Sequence, residues 1–164
     1  MISHDLDVKY VQNSAIGAAL LWRFVCGHYQ KESQPVPFPL LFVALPITFR
    51  QDLCTVVKST QKASGLSKVS EKLFNKKEND SIHFVNNTAI KLRSLTLEAF
   101  NIAVEANLIS MIPETAMVLP ITEKMRQYTP KSDAKDMLNA AEKLGNWCSD
   151  LTMLEISKWL KVRF

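Results

Sequence analysis

Val11-Gln12-Asn13-Ser14-Ala15-Ile16-Gly17-Ala18-Ala19-Leu20-Leu21-Trp22-Arg23-Phe24-Val25-Cys26-Gly27-His28-Tyr29-Gln30 is the stretch on which the fold turns. Small residues at 15, 17, 18 and 19 give way to bulky Leu20, Leu21, Trp22, Phe24 and Val25, and one cation, Arg23, interrupts them. A helix apolar on most sides is buried on most sides. Residues 11–30 therefore read as a first helix at the centre of a core, with Asn13 or Ser14 as cap because either side chain can accept from an orphan N–H of the first turn.

Outward from this helix the chain is mainly helical. Pro35, Pro37 and Pro39 fix φ and remove donors, so the following segment begins extended. Leu40 to Leu45 reads equally as a short buried strand or a short helix, since periodicity cannot separate the two in so brief a run. Gln51-Asp52 opens a helix to Lys62, with Ser64-Gly65 as its end. Leu66, Val69 and Leu73 mark another over 66–77. Asn75 to Ser81 is a polar loop. From Ile82 to Ala106, apolar residues recur at helical steps, and Asn107 closes the run because Asn tolerates a left-handed turn.

The period then changes. Leu108-Ile109-Ser110-Met111-Ile112 and Thr115-Ala116-Met117-Val118-Leu119-Pro120-Ile121 flank Pro113-Glu114, which predicts a β-hairpin over 108–121. A helix followed at once by a hairpin is the local shape of a winged-helix unit. Ser132 caps a helix through Ser149, and Leu151 to Leu160 forms the last. The expectation is one compact domain over 1–164, with an N-terminal arm over 1–12, five to seven helices, one hairpin and the C-terminal helices in 132–164.

The 164 residues are 47% hydrophobic and 22% charged, with a formal charge of +4, the make-up of an ordinary globular chain. Cys26, Cys54 and Cys148 are odd in number and widely spaced, which predicts reduced core thiols in a reducing compartment and no disulfide framework or zinc site. The polar, acidic opening Met1-Ile2-Ser3-His4-Asp5-Leu6-Asp7 does not resemble a secretion signal. The apolar run from Pro35 to Phe49 is broken by prolines and too short for a bilayer. Both observations point to the cytoplasm.

Enzymatic patterns are missing from the sequence. The four glycines, at 17, 27, 65 and 145, are too far apart for a phosphate loop. His4, His28 and His83 lack metal-ligand spacing. Cys26 and His28 point to different helix faces, so they do not pair for nucleophilic chemistry. Asp5 with Asp7, and Glu78 with Asp80, fall in polar segments better suited to solvation than to a metal. The expectation is a chain without catalysis, cofactor, metal or small-molecule substrate.

What remains is surface for contact. Lys58, Lys62, Lys68, Lys72, Lys76 and Lys77 share their stretch with a single acid, Glu71. Lys68, Lys72 and Lys76, four apart, make one cationic stripe on a helix, and with Lys77 they are candidates for phosphate or acidic-protein contact. The same lysines also fit an ordinary solvated face. Without interleaved arginines or aromatics they would give sequence-blind attraction, not base reading. Trp159, Lys161, Arg163 and Phe164 are candidates for a protein interface, whereas Trp147 fits the core.

Four stretches carry a family resemblance. They are Asn13 to Tyr29, Pro37-Phe38-Pro39-Leu40-Leu41-Phe42-Val43-Ala44-Leu45-Pro46, the helix ending Leu97-Glu98-Ala99-Phe100 with Asn107-Leu108-Ile109 after it, and Ala141-Glu142-Lys143-Leu144-Gly145-Asn146-Trp147-Cys148 running to Phe164. In order and spacing they resemble the middle-component proteins of bacterial ABC-three-component conflict systems, of which the Lamassu anti-phage and anti-plasmid systems are the best known. The resemblance implies a non-catalytic adaptor between an SMC/Rad50-like ATPase and an effector, often a nuclease, held silent until foreign DNA is sensed. It leaves DNA contact indirect or through the lysine face. A free-standing winged-helix transcription regulator, binding duplex alone as a dimer, is the competing expectation.

Overall fold

The computed structural model describes residues 13–74, 83–121 and 132–164. Among these are eight α-helices, one more than the range expected, and a three-stranded antiparallel sheet. The N-terminal arm, the loop over 75–81 with Glu78 and Asp80, and His4, Asp5 and Asp7 lie outside the described residues, and the capping expected of Ser132 rests on a side chain that is not described.

Helix α1 (Ser14–Tyr29) is capped by the Asn13 side chain, which accepts from the Ala15 N–H at 2.7 Å. It is the central helix: Leu20, Leu21, Trp22, Phe24 and Val25 are all at most 1% exposed. At about 1.5–3 kcal/mol for each fully buried large side chain, this stretch supplies a major share of the driving force for folding. Two helices grip it, α7 (Ser132–Ser149) and α6 (Arg93–Glu105). Against α7 the backbones nearly touch. A Cβ on Gly27 would stand 2.0 Å from the Glu142 carbonyl oxygen, and one on Gly145 would stand 2.0 Å from the Phe24 carbonyl oxygen. Asn146 Nδ2 donates to the Gly27 carbonyl across the same crossing, and Arg23 pairs with Glu142 beside it. The Leu144-Gly145-Asn146-Trp147 segment is thus a packing joint.

The extended start after the prolines is strand β1 (Val36–Pro37), which pairs with β3 (Met117–Pro120) and gives the hairpin a third strand. The hairpin itself joins β2 (Ile109–Ile112) to β3 in antiparallel register, Met111 opposite Val118. Asn107, at φ 57°, turns the chain out of α6 as expected. Residues 40–45 are helical: a 3-10 turn over Phe38–Val43 runs into α2 (Ala44–Thr48). Phe38 packs edge-on against Phe42 and Phe100, with ring centroids 5.5 and 5.0 Å apart.

Four helix boundaries depart from the sequence reading. The helix expected to reach Lys62 is α3 (Gln51–Ser59), followed by a separate 3-10 turn (Lys62–Ser64). Gly65 does not end it but begins α4 (Gly65–Phe74). The backbone at Thr60 is extended because its surroundings pin it. Thr60 Oγ1 donates to the Val56 carbonyl, while Lys143 Nζ on α7 donates to the carbonyls of Val57, Lys58 and Thr60 at 3.3, 3.1 and 2.9 Å. A cation there also faces the negative end of the α3 dipole.

The long run from 82 to 106 is two helices, α5 (Phe84–Lys91) and α6, which meet at Leu92. Thr88 Oγ1 donates to the Phe84 carbonyl one turn back, a bond that bends helices. The break lets α5 face α2 while α6 faces α1. The last helix, α8 (Met153–Leu160), starts at a capping box formed by Thr152 and Glu155 instead of at Leu151.

Candidate protein-interaction face

Helix α8 is held at both ends. The capping box fixes its start. At its end Lys161 adopts a left-handed conformation (φ 53°, ψ 48°) that turns the chain back, so that Val162 is buried and Ser157 Oγ donates to the Val162 carbonyl. The Arg163 N–H donates to Asn86 Oδ1 of α5 at 3.0 Å. The tail is therefore a fixed surface, with Arg163 and Phe164 exposed on it.

This geometry brings α8 against α4. Trp159, half-buried, separates two open grooves. The first is lined by Ser64, Ser67, Lys68, Glu71, Phe74 and Lys161. The second runs past Lys31, Lys62, Trp147, Asp150, Glu155 and Lys158. Two lysines lie on aromatic rings: Lys158 Nζ is 5.7 Å from the Trp159 ring centroid and Lys161 Nζ 5.2 Å from that of Phe74. Of the residues singled out in the sequence, Lys68, Trp159 and Lys161 are thus neighbours on one face.

The expected cationic stripe is narrower than its spacing predicts. Lys68 is exposed and paired with Glu71 at 3.1 Å. Lys72 is half-buried, donating to Thr60 Oγ1 at 3.0 Å, because α4 packs against the end of α3. It serves the fold and does not extend the open face. Lys76 and Lys77 lie outside the described residues.

Sequence reasoning counted Lys62 in the lysine-rich stretch without choosing it as a contact, missed Lys158 as a contributor to this face, and missed Lys143 as a clamp. The adjacency of Lys158 to Trp159 was the available signal for the second; the other two depend on packing between distant segments. Trp147 is buried as expected, its indole N–H donating to the Lys62 carbonyl at 2.8 Å. This bond positions the turn that forms one groove wall.

The three cysteines are buried and free. Burial pushes the thiols of Cys26 and Cys148 up to about 12 and raises that of Cys54, far from the depressed range of a reactive thiolate. His28 is buried, with Nδ1 3.1 Å from the Gln34 carbonyl, and burial lowers its pKa. Among the described residues no three His, Cys, Asp or Glu side chains converge in a way that could hold a metal ion. Among them, too, no single helix is long and apolar enough to cross a membrane. The helix before the hairpin, α6, exposes Leu97, Glu98, Asn101, Val104 and Glu105, with Arg93 as its one cation, which is poor chemistry for a helix that reads a DNA groove.

Fold and face together define a mainly helical protein with a small antiparallel sheet and a lysine- and aromatic-lined contact surface. The chain belongs to the family described as ABC-three component (ABC-3C) system Middle Component 3, whose model matches residues 3–164. It is accordingly a middle component of an ABC-three-component system. No curated protein and no solved structure matches it.

Proposed function

We propose that the chain is a non-catalytic adaptor in a cytoplasmic, Lamassu-like anti-phage and anti-plasmid defence complex. It bridges an SMC/Rad50-like ATPase to an effector such as a nuclease and keeps the effector inactive until foreign DNA is sensed. DNA is reached through the ATPase, and the chain contributes contact surface. The observation that carries this reading is the convergence of Lys68, Trp159 and Lys161 on one face of a chain matched as a middle component over 3–164. Aromatic anchors ringed by polar side chains are the chemistry of protein interfaces.

The test is co-expression of the three components with and without this chain. The adaptor reading expects effector and ATPase to co-purify only when it is present. Their co-purification in its absence contradicts bridging. Turnover of a nucleotide, nucleic acid or peptide by the purified chain contradicts the non-catalytic role.

A further inference from the structure

Around Trp159 the carboxylates and the cations are treated unequally. Three acids line the two grooves, and each is engaged: Glu71 by Lys68, Asp150 by Lys31, and Glu155 by the Thr152 N–H in the capping box. Lys62, Lys158 and Lys161 make no ion pair among the described residues. Two of them rest their ammonium groups on aromatic faces instead. A cation on a ring keeps most of its capacity for an anion, because the ring quadrupole satisfies it weakly at an exposed site.

The surroundings are apolar and hydroxylic. Phe74 and Trp159 line the first groove together with the hydroxyl-bearing Ser64 and Ser67. Leu154, 81% exposed, stands one helical turn before Lys158, and Phe164 is 48% exposed beyond Lys161. Unspent positive charge, hydroxyl donors and open apolar anchors therefore lie together.

We infer that this α4/α8 face binds an acidic segment of a partner protein. Its carboxylates would sit between Lys158, Lys161 and Lys62, and its apolar side chains would rest on Trp159, Phe74 and Leu154. The inference rests on the adaptor reading and specifies the chemistry of one of its contacts. Charge complementarity selects the occupant. A duplex would run a regular phosphate array past Glu71, Asp150 and Glu155, whereas a peptide places carboxylates only where the ammonium groups stand.

The experiment titrates the full chain with a short fluorescein-labelled Glu-rich peptide carrying two leucines, with its Gln-for-Glu counterpart, and with a duplex DNA fragment. The Glu peptide should bind, more weakly as salt rises, and the Gln counterpart should not. Lys158→Glu with Lys161→Glu should weaken binding about tenfold or more, a loss of about 1.4 kcal/mol. Lys158→Gln with Lys161→Gln should weaken it less, with unchanged circular dichroism in both variants. Equal binding of the two peptides, indifference to both pairs of substitutions, or DNA binding in place of peptide binding overturns the inference. The adaptor reading has a separate readout. If the groove variants bind like wild type while removing the chain still uncouples effector from ATPase, only this inference falls. If effector and ATPase stay coupled without the chain, the adaptor reading falls with it.

Discussion

Gly145→Ala tests the joint on which the fold is built. The added Cβ would lie 2.0 Å from the Phe24 carbonyl oxygen, 2.9 Å from its carbon and 3.1 Å from the His28 nitrogen. A carbon and a carbonyl oxygen approach comfortably at about 3.3 Å, so α1 and α7 must part by more than about 1 Å. All three atoms belong to the α1 backbone, and no rotamer change relieves the clash. Parting by that distance forfeits about half or more of the dispersion contact along the seam. Overpacking of flexible side chains costs about 1–3 kcal/mol, and a backbone clash belongs at or above the top of that range. Alanine returns about 1 kcal/mol of helix propensity, leaving a net loss of about 2 kcal/mol or more.

Gly17→Ala is the internal comparison. Its Cβ would meet Ala99 Cβ at 3.0 Å, which gives only by a small shift of α6, and Leu45 Cδ1 at 3.3 Å, which can turn away; the adjustment is a few tenths of an ångström, and the expected cost is about 1 kcal/mol. Urea unfolding followed by circular dichroism measures both. With a slope of about 1–3 kcal/mol per molar urea, Gly145→Ala should lower the midpoint by about 1 M or more and Gly17→Ala by clearly less. A Gly145→Ala protein as stable as wild type, or more stable than Gly17→Ala, refutes the close-crossing argument.

Lys143→Met removes the cation that donates to three carbonyls at the end of α3. It should cost about 2 kcal/mol, and a change within about 0.5 kcal/mol on urea unfolding would show the clamp to be idle. Gly65→Ala meets no atoms but sits at φ 77°, ψ −179°, a region essentially reserved for glycine, and should cost about 1–3 kcal/mol; no loss would mean that the turn before α4 relaxes freely. His28 has a lowered folded-state pKa, so below its ordinary value of about 6.5 the unfolded chain binds the proton more readily. Stability should fall as pH drops through about 6.5 toward the folded value, and His28→Gln should flatten that slope; equal slopes in the two proteins would contradict it. Cys26 and Cys148, buried and pushed up to about 12, should resist Ellman's reagent until urea unfolds the chain, and rapid labelling of native protein would contradict that burial.

The sequence exposed the elements whose signals are local and strong. Helix α1 is legible because it is apolar nearly all round, and the hairpin because its period changes beside Pro113-Glu114. Asn107 is legible because few other residues tolerate its φ. What escaped depends on distant partners. Strand β1 has two residues and exists only because β3 offers it a hydrogen-bonding edge. The break at Leu92 arises because α5 and α6 must face different neighbours, and a periodic run of apolar residues does not record that.

The same division holds at the candidate site. Lys68, Trp159 and Lys161 stood out by residue type, but only the packing of α4 against α8 makes them neighbours. Lys72 shares the spacing of Lys68 yet is drawn into the fold by Thr60, twelve residues earlier. Identical spacing did not give identical roles.

Hydrogen exchange on the chain, free and assembled with the other components of its system, tests the account most directly. The contact-face reading predicts that assembly slows exchange over Ser64–Phe74 and Met153–Phe164, while α6 keeps the rates it shows alone. Protection confined to α6 and the hairpin, with α4 and α8 exchanging as in the free chain, would contradict it.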